Sequence, residues 1–195
     1  MKGNAGFKVG SRGIGSGKLF FIIEEGQAND GDFRKALAMV DAAKKTGADA
    51  IEFQLARADE FYVKSHPDHL IYKKREFDLK LIGELVAYTK HAGLEFIAAP
   101  LSAGLIDPLA GYGCSAFTVN ASDINNPEII DAVSGSGLTF FLALPLAAED
   151  ELRWALNRIS RRKAGPLALL HGQHSMASGE HGVAVEHTSL GYLAT

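Results

Sequence analysis

Phe20-Phe21-Ile22-Ile23-Glu24-Glu25-Gly26-Gln27-Ala28-Asn29-Asp30-Gly31 decides the reading of this chain. Residues 19–23 form an apolar run without polar alternation, the pattern of a strand buried on both faces. The run breaks into a short polar turn, and Asp32 then caps a helix predicted over residues 33–45, which Gly47 stops. Such a strand, loop and helix, repeated along a chain, imply parallel strands joined by right-handed crossovers.

Working outward, the same rhythm recurs. Strands are expected at 50–53, 94–98, 116–119, 138–143 and 167–170, and helices at 78–91, 102–111, 126 onward, 148–162 and 185–193. Asn126-Pro127-Glu128 opens a helix with proline at its first position. The longest irregular stretch, 55–77, holds Tyr62, His66, Pro67, His69 and Tyr72. Long loops in compact domains tend to carry function. The fold class is therefore α/β, a TIM-barrel-type domain with about six of the eight βα units of a closed barrel. A flavodoxin-like doubly wound sheet is the rival, but it usually has five strands and a topological switch point. Residues 1–17 read as a lead-in and 18–195 as the partial barrel.

At 195 residues, 47% hydrophobic, 22% charged and with a net charge of −3, the composition is that of one soluble globular domain. No basic concentration suggests nucleic acid, and no apolar run reaches membrane-spanning length. The cationic run from Arg158 to Lys163 reads as the solvated last turn of a helix. Cys114 stands alone, which excludes a disulfide framework and fits a cytoplasmic setting. Tyr62, Tyr72 and Trp154 read as packing residues. Gly10-Ser11-Arg12-Gly13-Ile14-Gly15 imitates a phosphate loop but precedes a strand instead of following one.

The chain resembles the barrel domain of the sialic acid synthase family, which includes legionaminic and pseudaminic acid synthases. Gly13 to Lys18 resembles the lead-in to the family's first strand, and Phe21 to Gly31 resembles F-I-I-A-E-I-G-x-N-H-x-G. Ala42 to Gln54 resembles A-A-K-x-A-G-A-D-A-V-K-F-Q. Ala116 to Asn126 resembles A-F-K-I-x-S-G-D with its following N-L-P, and Leu169-Leu170-His171 resembles the L-L-H-C strand. The resemblance implies a transferase that condenses phosphoenolpyruvate with an amino sugar or its phosphate, using a divalent metal (Mn or Mg); a homo-oligomer is expected separately, from the unpaired edges of an incomplete barrel. The resemblance places Glu24 near the sugar substrate, while Glu24 and Glu52 together are catalytic candidates as neighbouring strand-end carboxylates. It puts Asn29, Gln54, Thr118, Ser122, Asp123, Asn126 and His171 on the substrate side of the barrel mouth.

The departures fall at strand ends. Glu52 and Thr118 stand where the family has the two lysines that serve phosphoenolpyruvate. Losing one cation removes a charge-assisted contact of about 1.5–3 kcal/mol, and a glutamate at the other position reverses the sign beside a phosphate. Ala28 and Asn29 replace Asn and His, Ala143-Leu144-Pro145-Leu146 replaces a polar S-T-G-M-A turn, and Gln173, His174 and Met176 follow His171. The family's G-Y-S-D-H-T strand, its later metal histidine and its antifreeze-like domain would lie past Thr195.

Two strand-end carboxylates such as Glu24 and Glu52 can raise one another's pKa, which suits acid–base work. With Asp123 and His171 they form an oxygen-and-imidazole set able to hold a divalent cation; the alternative is a group of satisfied polar residues left from a lost site. His171/His174 and His66/His69 have short metal-type spacings, although in a loop i and i+3 do not share a face. Two functions stay open: a synthase of the sialic acid class, and a non-catalytic or repurposed paralogue that binds a sugar or metal through an acidic mouth. The strand edges of an incomplete barrel are expected to favour association.

Overall fold

The structure is a computed structural model that describes residues 6–15, 17–145 and 147–172. The expected helix at 185–193 and Gln173, His174 and Met176 lie outside the described residues, as does Leu146.

The chain begins with an antiparallel hairpin, β1 (Phe7–Val9) and β2 (Arg12–Ile14), turning at Gly10-Ser11. The main sheet then follows: β3 (Ile22–Glu24), α1 (Phe33–Lys45), β4 (Ala50–Leu55), α2 (Ala58–Phe61), α3 (His69–Arg75), α4 (Leu79–His91), β5 (Glu95–Pro100), a 3-10 turn at Ala103–Leu105, α5 (Ile106–Gly111), β6 (Ala116–Val119), α6 (Pro127–Gly135), β7 (Thr139–Ala143), α7 (Glu149–Ser160) and β8 (Leu167–Leu170). Its six strands pair in chain order, β3 to β8, all parallel. Consecutive parallel neighbours joined by helices are what the strand–helix alternation demands.

Two apolar layers hold this sheet. On its outer face Phe53, Phe96, Phe117 and Phe140 share a core with helix residues such as Leu85 of α4 and Ile130 of α6. On its inner face a smaller cluster of Ala50, Ile97, Ala116 and Phe141 closes over Val9, with Phe7 and Ile14 of the hairpin. Strand side chains alternate between faces, so residues 52, 54 and 118 continue the inner face toward the strands' C-terminal ends. The hairpin thus fills the inner space at the opposite end. It is tied there by Thr139 Oγ1, which donates to Lys8 O at 2.6 Å, and by the Arg12–Asp49 pair at 2.6 Å.

Three expectations change. Within the expected lead-in, residues 7–14 form a hairpin, because apolar Phe7, Val9 and Ile14 flank a Gly-Ser turn and pack against the inner face of the sheet. The 55–77 stretch folds in part into α2 and α3, which carry an aromatic cluster of Phe61, Tyr62, Tyr72 and His66. Arg158 and Arg162 do more than dress a last turn: both reach Asp131 on α6, at 2.6 and 2.7 Å. Cys114 is buried, with its thiol pushed up to about 12 by that burial.

Helix starts are chemically explicit. Asp32 accepts from the amides of Arg34 and Lys35, and Asp78 from Leu81. Asn126 caps α6 by accepting from Glu128 N at 3.1 Å and Ile129 N at 3.4 Å, while its Nδ2 donates to Asp123. Urea unfolding of Asn126→Ala should show a loss of about 1 kcal/mol, the usual worth of an N-cap.

Candidate functional site

The C-terminal ends of β3, β4, β6 and β7 surround a cavity of about 630 Å³. Strand register fixes its acidic side. Glu24 of β3 lies directly beside Glu52 of β4, and the Glu25 amide locks those strand ends by donating to Glu52 O at 2.9 Å. Two residues along β4, on the same face, Gln54 also reaches the cavity, and on β6 Thr118 is followed with the same spacing by Asn120. Ser122, Asn125 and Glu151 complete the polar side. Ile124, Ala143, Pro145, Ala147 and Leu170 form an apolar wall opposite.

Glu52 is the electrostatic centre. It is only 4% exposed, and Thr118 Oγ1 donates to its Oε2 at 2.5 Å. The bond passes over β5, whose inward residue beside Gln54 is the small Ala99. Burial pushes the Glu52 carboxyl up to about 7; the Thr118 bond opposes the rise and the Glu24 charge adds to it. A carboxyl poised there can give and take a proton near neutral pH.

The structure brings together Glu24, Glu52, Gln54, Thr118 and Ser122 on the cavity and sends others elsewhere. Asn29 is buried in its own loop, where its N and Nδ2 donate to Glu25 Oε1 at 2.6 and 2.7 Å. Alternation turns Glu25 away from Glu24, and its carboxylate gathers the amides of a tight loop. Asp123 accepts from Ser122 and Asn126, and Asn126, occupied as a helix cap, borders an outer cleft with Glu60 and Ser102. His171 follows Leu170, the last residue of β8; His174 lies outside the described residues. His69 is buried and bonded to Asp59 at 3.0 Å, whereas His66 stacks on Tyr62.

Among the described residues no three His, Cys, Asp or Glu side chains gather in a metal-holding group. The mouth offers two adjacent carboxylates, Glu24 and Glu52, which would leave most of a Mn or Mg ion's oxygen shell to water. The same-face spacing of Asn120 after Thr118 was available in sequence; Asn125 and Glu151 reach the cavity only through the tertiary fold.

The family model described as NeuB family matches residues 39–183. The chain belongs to the NeuB family. An uncharacterized protein of Methanocaldococcus jannaschii is 30% identical over 84% of this chain and 49% of its own length. The N,N'-diacetyllegionaminic acid synthase of Campylobacter jejuni is 25% identical over 79% of this chain and 51% of its own. This NeuB-family chain thus spans about half the length of those curated relatives. Among solved structures, the N-acetylneuraminic acid synthetase of Leptospira borgpetersenii, in complex with citrate, superimposes with a TM-score of 0.82 at 27% identity, over 90% of this chain and 61% of that one. A DAHP synthase from Thermotoga maritima, at 12% identity and a TM-score of 0.67, shares the barrel-type fold. The α/β fold and the family resemblance read from sequence both hold. No helix among the described residues is long and apolar enough to cross a membrane.

Proposed function

We propose that this NeuB-family chain is a sugar-acid-synthase-like protein whose mouth cavity binds the sugar partner, with phosphoenolpyruvate condensation not among the tasks of its described residues. One observation carries this reading. The positions that match the family's two phosphate-binding lysines are Glu52 and Thr118, and they are hydrogen-bonded to each other in a buried pair. A phosphate placed there meets a carboxylate in place of cations, and at close range that repulsion outweighs what hydroxyl donors return.

The rest of the mouth supports a sugar. Gln54, Asn120, Ser122 and Asn125 supply amide and hydroxyl groups for ring hydroxyls, and the apolar wall suits a methyl or ring face. Glu24 and Glu52 can accept hydrogen bonds from hydroxyls at the cavity's acidic side. The Leptospira relative is named as a complex with the anion citrate; the acidic lining found here supports a different preference.

Titration calorimetry tests the reading. N-acetylmannosamine and phosphoenolpyruvate are each titrated into the full chain at pH 7, with and without manganese. Binding of the sugar without phosphoenolpyruvate is expected. Tight phosphoenolpyruvate binding, or phosphate release from the mixture above background, would show that the chain keeps the complete synthase chemistry.

A further inference from the structure

The cavity's acidic side has a feature that sugar hydroxyls alone do not require. Glu24 and Glu52 lie side by side on parallel strands, about 5 Å apart by strand spacing. Glu52 is more than nine-tenths buried, yet only its Oε2 receives a hydrogen bond, from Thr118. Glu52 lines the cavity, and its other oxygen, Oε1, receives no hydrogen bond from the described residues. Glu151, the third carboxylate on the lining, is already committed: its Oε2 accepts from Ala148 N at 2.9 Å and its Oε1 from Asn125 at 3.2 Å. The described lining holds no lysine or arginine to offset the first two.

A carboxylate oxygen of a largely buried, cavity-lining side chain, given no donor by the described residues, can take one from a ligand. Among the described residues no third metal-type ligand joins these two carboxylates, and an ammonium group, with three N–H donors and one charge, matches two neighbouring acceptors. The remaining polar groups suit a polyhydroxylated body, and the cavity is large enough for a hexose.

We propose that the mouth takes an amino sugar in its free-amine form, with the ammonium seated between Glu24 and Glu52. The inference rests on the sugar-binding reading above and narrows it from acylated or neutral sugars to cationic ones. Arrival of the ammonium favours the charged form of Glu52, so a fraction of a proton leaves that carboxyl for solvent as the sugar binds. Glu24 is the other titratable group facing it; Thr118 on β6 and Ile97 and Ala99 on β5 carry no charge.

The test compares mannosamine, N-acetylmannosamine and mannose by calorimetry with the full chain at pH 7, in phosphate and in Tris. Mannosamine should bind about tenfold tighter than N-acetylmannosamine, the worth of one charge-assisted hydrogen bond. Its enthalpy should differ between the two buffers because a proton is released. In both E24Q and E52Q the affinity ratio should fall to about one. An N-acetylmannosamine affinity equal to or above that of mannosamine overturns the free-amine inference and leaves sugar binding standing, as does a preference that survives in both variants. Binding of none of the three sugars overturns the sugar reading itself, and this inference with it.

Discussion

Glu52→Gln should stabilise the protein by about 3 kcal/mol at pH 8 and change little at pH 4, where the carboxyl is protonated in both folded and unfolded chains. The native carboxyl titrates at about 7 against an ordinary 4.5. Between those values the folded state binds more protons than the unfolded one. Stability therefore falls as pH rises from about 4.5 to 7, and above 7 the full cost remains. Glutamine keeps the shape, can still accept from Thr118, and carries no charge to desolvate beside Glu24. For a chain of this size the gain corresponds to a rise in melting temperature of about 6–12 °C at pH 8. Urea unfolding across the pH range, wild type beside variant, is the measurement. Equal slopes between pH 4.5 and 7 would mean that Glu52 is ionised without cost, and that water or a neighbour solvates it.

That cost has a functional meaning. Natural cores rarely retain a carboxylate with a single donor unless a ligand completes its shell. The strained proton equilibrium of Glu52 and the open oxygen beside Glu24 are two views of one arrangement, since a bound cation would both complete the shell and relieve the charge.

Much of this was legible in the sequence, and the physical reasons divide cleanly. The helix at 33–45 and the strands at 116–119 and 167–170 stand where the sequence puts them. Their signals are local: a capping Asp, a stopping Gly, short apolar runs. Glu24 and Glu52 could be paired from sequence because both lie near the C-terminal ends expected for neighbouring strands, although β4 runs on to Leu55. The Thr118–Glu52 bond could not, since 66 residues and an intervening strand separate the partners. It depends on register and on a small residue at 99. Asn29 went to the wrong side for a simpler reason. Consecutive strand residues point to opposite faces, so Glu24 enters the cavity while Glu25 turns away and draws Asn29 with it. Asn126 has the composition of a binding residue, but a helix N-terminus consumed its acceptor. The hairpin was missed because strands of three residues are too short to show periodicity.

That hairpin carries the second large effect, expected for Glu95→Ala at the far end of the barrel. Glu95 is 7% exposed, and its carboxylate accepts from Ser11 N at 2.8 Å, Ser11 Oγ at 2.6 Å and Ser115 Oγ at 2.5 Å. It stands where a side chain on Gly10 would have to go, and Gly10 has a φ of +56°, so the turn and the carboxylate fit only each other. Burial acts to raise the Glu95 pKa, but the bonds from Ser11 and Ser115, with the charge of Lys90, outweigh it and hold the group below its ordinary value. Its contribution to stability is thus present above the ordinary carboxylate range and is lost as pH falls through the lower folded value. Removing the carboxylate deletes three bonds and should cost about 3 kcal/mol at pH 7. The hairpin should loosen first, since Val9 and Ile14 then hold it with little besides apolar contact and the Lys8 and Arg12 ties. Trypsin gives a direct readout, because Lys8 and Arg12 both lie in the hairpin. Cleavage there should appear in the variant while the wild type resists, and Glu95→Gln, which keeps an acceptor, should fall between the two. If Glu95→Ala protects Lys8 and Arg12 as well as wild type does, the apolar plug alone keeps the inner core closed, and the carboxylate merely follows.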